Sequence, residues 1–480
     1  MPRHGEKQVK SENIAPLAHT PAGVPVVAEA DVVVIGAGPG GFAAALRARR
    51  EGCSVMVVEK FDMPGGVHTS GLQGAANAGV GGIHTELMER FAQGGAIYTA
   101  TEQDLPDWAG NPLSHYDHYL PPGSPFRRSS FNPDGAGNIM ARMLEEAGVQ
   151  AMYGAAFADV EMVGEGDGRR ITHAIVETVA GRHAIAGKVF VEGSGTAEVV
   201  ARAGAPFVRG GGRQPGTVAQ DPQHRPIPGG LLWIMGGIDF AETAAYQKRE
   251  QDPRLQKLIA RARAAGDIPE HLYRPRLADQ GVYGDHYIGH PTVDMSPIQG
   301  PGSFILWQNV PYEWALHMDD DAEHAARARR ELRTLIDAEA RFLTRYVPGF
   351  QKAFIAHVGR YVGVRDGRHP LGEYVFSIDD ARQGRRFPDA VTAPMTKTFF
   401  WDRYAKYTFE VPYRCFLPRE VDNLLLTGAS LSFTFETIFM VMRNFPWCCQ
   451  TGEVAGHAAA RAIREGVGPK QIRWTEPLPF

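Results

Sequence analysis

The chain has 480 residues, a formal net charge of −4, 44% hydrophobic residues and 22% charged residues, which is ordinary for a soluble globular protein long enough for two domains. The charge balance excludes the basic footprint of a nucleic-acid binder. Every apolar stretch breaks well before the ~18–20 residues needed to span a bilayer. Four cysteines (Cys53, Cys415, Cys448 and Cys449) show no CxxC spacing, so the expected setting is a reducing cytoplasm with no disulfide frame, zinc or iron–sulfur site.

The first 30 residues, Met1–Ala30, are polar and lack an apolar segment, so they read as a disordered leader and not as a signal peptide. The β-branched run Val32–Ile35 predicts a buried strand. Then come the turn Gly36-Ala37-Gly38-Pro39-Gly40-Gly41, an Ala/Arg-rich helix over Phe42–Glu51, and a second strand over Ser54–Val58. The acid Glu59 closes this unit, 23 residues after Gly36. Strand, glycine turn, helix, strand and acid in this order form a dinucleotide site. Gly36 makes the tight turn, Gly38 lets backbone approach the pyrophosphate, and Gly41 packs helix on strand. The helix N-terminus offers free N–H groups to the phosphates. Glu59 can accept hydrogen bonds from ribose hydroxyls, and its charge disfavours a 2′-phosphate.

The small-residue segment Pro64–Gly74 supplies backbone that can lie against a flat ring system. Helices are expected at Thr85–Gln93 and Asn138–Ala147, with an irregular Pro-, Tyr- and His-rich stretch at 101–131 between them. Short strands follow at Gln150–Tyr153, Ala158–Val163, Ile171–Thr178 and His183–Val189, with hairpin turns at Gly164–Gly168 and Ala180–Gly181. The last strand runs into a second glycine-rich end, Glu192-Gly193-Ser194-Gly195-Thr196-Ala197-Glu198. Residues 205–420 are an interrupted region whose longest pattern, Ala322–Tyr346, is an amphipathic surface helix. Strand Asn423–Leu426, the turn Thr427-Gly428-Ala429 and a small-residue helix over Thr451–Glu465 then return to the nucleotide-domain style.

These motifs resemble the FAD-dependent oxidoreductases of the glutathione-reductase-like superfamily, and more closely the family called FAD dependent oxidoreductase. Gly65-Gly66-Val67-His68-Thr69-Ser70-Gly71 stands where the family has its glycine–threonine segment after the ribose acid. The mid-chain family run is matched by Gly363-Val364-Arg365-Asp366-Gly367-Arg368-His369-Pro370-Leu371-Gly372-Glu373-Tyr374 and by Gly384-Arg385-Arg386-Phe387-Pro388-Asp389-Ala390. Its closing run is matched by Arg443-Asn444-Phe445-Pro446-Trp447-Cys448, Gly452 and Ala455-Gly456. The resemblance covers about 31–210 and 355–470. It implies an α/β fold: a Rossmann-like FAD-binding domain from residues 31–204 and 421–470, with an inserted α+β substrate or cap domain at 205–420. It also implies FAD and redox chemistry, without naming a substrate. One departure is Gly193–Glu198, where the family tends to have T-G-D-G-D and the first acid is missing here. No second glycine motif for NAD(P) and no CxxC pair are present, which argues against a pyridine-nucleotide disulfide reductase.

The cofactor-binding set implied is Gly36, Gly38, Pro39, Gly40, Gly41, Glu59, Lys60, Gly66, Val67, His68, Thr69, Gly71, Leu72, Ala156, Gly195, Gly428 and Gly452. The helix start expected at Gly452 would direct its dipole at the flavin N1/O2 edge. His68-Thr69-x-x-x-Gln73-Gly74 is similar to the segment of succinate dehydrogenase and fumarate reductase flavoprotein subunits that carries an 8α-histidyl flavin. His68 is therefore a candidate for a covalent link, set against a histidine that only packs beside the ring.

Candidate catalytic residues are Arg365 as a carboxylate or carbonyl clamp, His369 as a base and Tyr413 as a hydrogen-bond donor. Against these stand an interdomain ion pair, a turn histidine before Pro370 and an aromatic core residue. The stretch Phe399–Phe409 reads either as an apolar lid or as core. His286 and His290 are spaced as a metal pair but lack carboxylates and a helix, so no metal is expected. Cys448 and Cys449 read as buried and inert, although a helix start after them could lower a thiol pKa. The expected activity is oxidation of a small organic substrate, cyclic or aromatic, by hydride transfer to flavin N5. A flavin monooxygenase or halogenase and an electron-transfer subunit are the alternatives, the halogenase disfavoured by the lack of a Trp-x-Trp-x-Ile pattern. The only partner called for is a small-molecule substrate, with homo-oligomerisation left open.

Overall fold

The computed structural model describes residues 23–74, 81–99, 129–210, 229–252, 255–268, 302–309, 318–365, 367–399, 405–434, 437 and 443–480. The His286/His290 pair, residues 400–404 of the aromatic stretch, residues 101–128 of the expected loop and residues 1–22 of the leader lie outside them.

Strand β1 (Val26–Ile35) starts inside the expected leader. Val26 pairs with Ala184 and Ala28 with Ile185, so ladder hydrogen bonding to a distant strand orders residues that composition alone left unstructured. Helix α1 (Pro39–Arg50) begins at the proline, whose missing N–H costs nothing at a first helical position. Strand β2 (Val55–Glu59) ends on the acid. Helix α2 (Gly82–Gln93) and the short ribbon β3 (Ile97–Thr99) with β4 (Ser129–Phe131) follow. Helix Pro133–Ala147 starts on Asn132, whose side chain accepts from the Gly135 N–H. Then come β5 (Gln150–Tyr153), β6 (Ala156–Val163), β7 (Arg170–Thr178) and β8 (Gly181–Glu192).

The second half supplies β9 (Phe207–Arg209), β10 (Gly230–Gly236), β11 (Phe304–Asn309), the long helix Ala322–Tyr346, β12 (Phe354–Val358) and β13 (Arg368–Pro370). A hairpin of β14 (Met395–Phe399) and β15 (Ala405–Phe409) follows, then β16 (Leu424–Leu426) and the C-terminal helix Phe445–Glu465.

The main sheet runs β5-β2-β1-β8 with all three pairings parallel. Strand β8 is shared along its length. Its first half pairs antiparallel with β7, and its last residues pair in parallel with β16. The two ends of the chain thus build one sheet, which makes the cofactor-type domain discontinuous. β1, β2, β8 and β16 all end at the same edge, where an open α/β sheet binds ligands. α1 and the C-terminal helix pack together on one face through small residues. A Cβ at Gly452 would collide with the Gly40 carbonyl, and one at Gly456 with the Ala44 carbonyl.

Among the described residues there are two large cores. The first joins Val32–Ile35, Phe42–Leu46 and Leu424–Leu426 with Phe376, Val391, Phe409 and Phe416. The second joins Leu231, Trp233 and Met235 of β10 to Leu332, Leu335 and Phe342 of the long helix, as its amphipathic pattern requires. The residues of the expected insert divide between the two cores. The cap has its own core from Leu231 to Val362, while residues 376–417 pack back into the first body. β10 is buried on both faces: Leu232 and Ile234, on the side away from the cap core, meet Leu72 of the first body.

The contact between α1 and the C-terminal helix gives the first expected outcome. Gly456→Ala forces a methyl against the Ala44 carbonyl, and overpacking of this kind costs about 1–3 kcal/mol. Urea denaturation should show a lower midpoint with an unchanged slope. An unchanged midpoint would mean the helices can separate without loss.

Candidate active site

The cradle is built from backbone. Gly36 has φ +90°, and a Cβ there would lie 2.6 Å from the Gly193 carbonyl oxygen, so the β1–α1 turn and the loop after β8 touch main chain to main chain. Gly41 abuts the Gly36 carbonyl, and a Cβ at Gly40 would lie 2.9 Å from Thr427 Oγ1. Gly38 differs. Among the described residues, a Cβ there has only the Gly193 carbonyl oxygen within 4 Å, at 3.7 Å, so they leave open space at Gly38. Helix α1 has no side-chain cap, and its first-turn amides point into that space. This is the shape a pyrophosphate needs, and the residues present fit FAD.

Two buried carboxylates shape the loops around the cradle. Glu59 accepts from the Ala37 N–H at 2.7 Å and the Phe61 N–H at 2.9 Å. Burial, opposed by these bonds, holds its carboxyl above the usual range. Each oxygen keeps a lone pair for a ribose hydroxyl. Glu192 accepts from the Ser194 N–H, the Ser194 hydroxyl and the Val199 N–H, and burial pushes it up to about 7. The loop Gly193–Glu198 therefore has its organising acid at the strand end. The first acid of the family pattern is replaced in position, a role the sequence reading did not assign. The signal was present: like Glu59, Glu192 closes a buried apolar strand and precedes a glycine turn.

The expected cofactor residues group unevenly. Lys60 Nζ bridges to Glu198 Oε1 at 3.2 Å, tying the end of β2 to the loop that holds exposed Gly195. Ala156 opens β6 beside Ala155, whose N–H donates to the Glu59 carbonyl. Gly66, Val67 and His68 form one 3-10 turn, and Thr69 Oγ1 donates to the Pro64 carbonyl at 2.6 Å. A Cβ at Gly71 would lie 2.7 Å from the Val67 carbonyl oxygen, and Leu72 holds φ +67°, a left-handed conformation rare for leucine. Gly428 donates its N–H to Thr451 Oγ1 at 3.0 Å.

Gly452 needs correction. The C-terminal helix starts at Phe445, with Asn444 as its N-cap and Pro446 in its first turn. Gly452 lies in its interior and serves the contact with α1, so the positive end of the dipole belongs to Asn444–Trp447. Cys448 and Cys449 are inside this helix and buried. Burial pushes the Cys448 thiol up to about 12 and Cys449 well above the usual range, so burial outweighs the dipole at both.

His68 is buried, its Nδ1 lies 2.9 Å from the Gln73 carbonyl oxygen, and its ring stacks on Phe445 with centroids 4.4 Å apart. The carbonyl can only accept, so Nδ1 carries the proton and Nε2 keeps its lone pair. Burial pushes its pKa down to about 4, so the ring is neutral. His84 meets the same Phe445 edge-on.

Arg365 and His369 are both buried, at 7% and 3% exposure. His369 lies on β13, paired with Val208 of β9, and is not a turn histidine. Tyr413 is withdrawn as a catalytic residue. Its hydroxyl donates to the Pro469 carbonyl at 3.0 Å and its ring stacks on Trp474, which spends its donor inside the core. Phe409 likewise belongs to the core, and Tyr407 packs against it.

The cap meets this site through the connector Gly359–Arg365. The Arg360 N–H donates to the Ser70 carbonyl, Arg360 pairs with Asp62, and Tyr361 stacks on Phe61 at 4.7 Å. No local pattern marked these residues, because their partners lie some 300 positions away.

A family model for FAD dependent oxidoreductases matches residues 31–477. The chain belongs to the FAD-dependent oxidoreductase family. No curated protein matches it. Solved structures similar to it include a geranylgeranyl bacteriochlorophyll reductase-like protein from Thermoplasma acidophilum, 14% identical over 92% of this chain and 80% of that one, TM-score 0.47. Others are p-nitrophenol 4-monooxygenase from Pseudomonas putida (12%, 92% and 82%, TM-score 0.44) and the flavin-dependent brominase Bmp2 (14%, 94% and 81%, TM-score 0.42). The protein is thus an oxidoreductase and its cofactor is FAD. Among the described residues no helix is long and apolar enough to cross a membrane.

The cradle yields a direct expectation. Gly38→Val places two methyl groups in the open space over the helix start. The variant should fold with a normal far-UV spectrum, since little protein surrounds that Cβ, and should purify without flavin. Yellow protein at wild-type FAD content would remove Gly38 from the site.

Proposed function

We propose that this enzyme oxidises a small organic substrate with a cyclic or aromatic apolar body by hydride transfer to flavin N5. The observation that carries the reading is the apolar contact of Leu72 with Leu232 and Ile234, where the cap sheet meets the flavin-side segment. Beside it runs the connector with buried Arg365. An apolar wall next to a guanidinium suits a substrate with a hydrophobic ring and a carbonyl or carboxylate handle. FAD, when bound, supplies the hydride acceptor. In this reading Arg365 orients the polar handle and His369 takes the proton released as the substrate is oxidised. Leu72, Leu232 and Ile234 exclude water from the apolar end. The cap spanning about 229–365 is the substrate domain, and the four buried free thiols support a cytoplasmic setting.

Anaerobic loss of the ~450 nm flavin band against a panel of alcohols, amines and cyclic hydroxy compounds tests the reaction type. Bleaching by one such compound alone supports direct oxidation. Bleaching only by NAD(P)H, with product formed only under oxygen, would assign a monooxygenase. No bleaching by any small molecule would favour an electron-transfer subunit. Arg365→Ala should lower kcat/KM roughly 10- to 100-fold at unchanged FAD content, the scale of one hydrogen bond to a charged group. Normal kinetics in this variant would return Arg365 to a structural ion pair.

A second reading concerns attachment. The neutral His68 ring, with Nδ1 held by Gln73 and Nε2 unprotonated, has the protonation state that an 8α-histidyl link requires. After acid precipitation, yellow colour in the pellet and a mass increase of one FAD, absent in His68→Ala, would establish the bond. All flavin in the supernatant would leave His68 as a packing residue against Phe445.

A further inference from the structure

The connector from the cap reaches the phosphate cradle itself. A Cβ on Gly66 would lie 3.2 Å from Gly38 Cα and 3.9 Å from the Tyr361 hydroxyl. The hydroxyl of Tyr361 and the Cα of Gly38 thus both lie beside Gly66. Three contacts hold Tyr361 there: its stack on Phe61 at an interplanar angle of 21°, the Arg360–Asp62 ion pair, and the Arg360 N–H to the Ser70 carbonyl at 3.0 Å. All three partners belong to the FAD-side segment that follows β2. The ring is locked by its neighbours, yet its hydroxyl makes no hydrogen bond among the described residues.

We infer that Tyr361 is a cofactor-binding residue contributed by the cap, its phenol hydroxyl donating a hydrogen bond to the FAD pyrophosphate over Gly38. The chemistry suits an anion. Burial, and then the charge of Glu59, hold the phenol well above its ordinary pKa, so it stays a neutral donor. Hydrogen bonds to charged acceptors are the strong ones, and the stack on Phe61 has already removed the rotamer freedom that binding would otherwise cost. A consequence follows for the cap. If one connector both closes over the cradle and contacts the cofactor, FAD binding and cap docking are coupled, and each favours the other by the same factor.

The inference rests on the cradle assignment above, and the two fail differently. Wild-type FAD affinity in Gly38→Val would remove the cradle. Wild-type affinity in Tyr361→Phe would remove only the part given to Tyr361. The test uses the full-length flavoprotein and reads FAD dissociation from the rise of free-flavin fluorescence on dilution. Tyr361→Phe keeps the stack on Phe61 and should raise the FAD dissociation constant about tenfold, the scale of one charge-assisted hydrogen bond. ADP, which carries both phosphates and no flavin ring, should lose the same factor as a competitor, while the thermal transition measured without FAD stays at the wild-type temperature. FAD affinity within twofold of wild type would overturn the proposal. So would weaker FAD binding with unchanged ADP competition, since the hydroxyl would then meet the flavin and not the phosphates. If Tyr361→Phe does not fold, Phe61→Leu frees the ring while keeping the hydroxyl. Undiminished FAD and ADP affinity in that variant would equally overturn it.

Discussion

The site depends on one close approach: the main chain of Gly36 against that of Gly193. A side-chain carbon on Gly36 would fall 2.6 Å from the Gly193 carbonyl oxygen, so neither loop can move independently of the other. The ends of β1 and β8 meet there. Gly41 keeps α1 pressed on the same turn, and Gly452 and Gly456 let the C-terminal helix lie on α1. Glu453 of that helix extends the layer, accepting the Ile83 N–H at the start of α2. Close packing without side chains joins three separated glycine segments into one cradle.

Electrostatics complete what packing begins. Glu59 and Glu192 stand at the ends of β2 and β8, the two strands that flank β1, and both are buried. Two free carboxylates beside a pyrophosphate would repel it. Here each is consumed by backbone N–H groups, and burial raises both, Glu192 to about 7. The N–H donors of the two loops thus face these carboxylates, and the acids shape the loops through them. The start of α1, with no side-chain cap, adds its own N–H groups to the cradle.

Polar contacts tie the cap to the loops around the cradle. Arg360 and Tyr361 close on Asp62, Ser70 and Phe61 at one end. At the other, Arg368 Nη1 donates to the Thr196 carbonyl of the loop after β8 and pairs with Asp319, which also holds Arg209. Both anchors land on loops that border the cradle. The arrangement places β10 with Trp233 facing the cap core and Leu232 facing Leu72, and the strained backbone of Leu72 is held by that packing.

Local sequence was sufficient for the β1–α1–β2 unit, because β-branched runs, a glycine turn and an acid at fixed spacing leave one arrangement. The long helix Ala322–Tyr346 was legible for a similar reason, its apolar stripe recurring over 25 residues. Helix starts were less legible. The C-terminal helix begins six residues before the expected Thr451, since Pro446 suits a first turn and reads as a breaker only when the turn is unseen. Tertiary structure alone decided the rest. Val26–Ala30 became strand through pairing with β8, and residues 376–417 returned to the first core. Tyr413 gave its hydroxyl to Pro469, and Tyr361 was brought to Gly66 and Gly38. Each of these depends on partners far away in the chain, and no local spacing records which distant backbone or ring a side chain will meet once the sheet has closed.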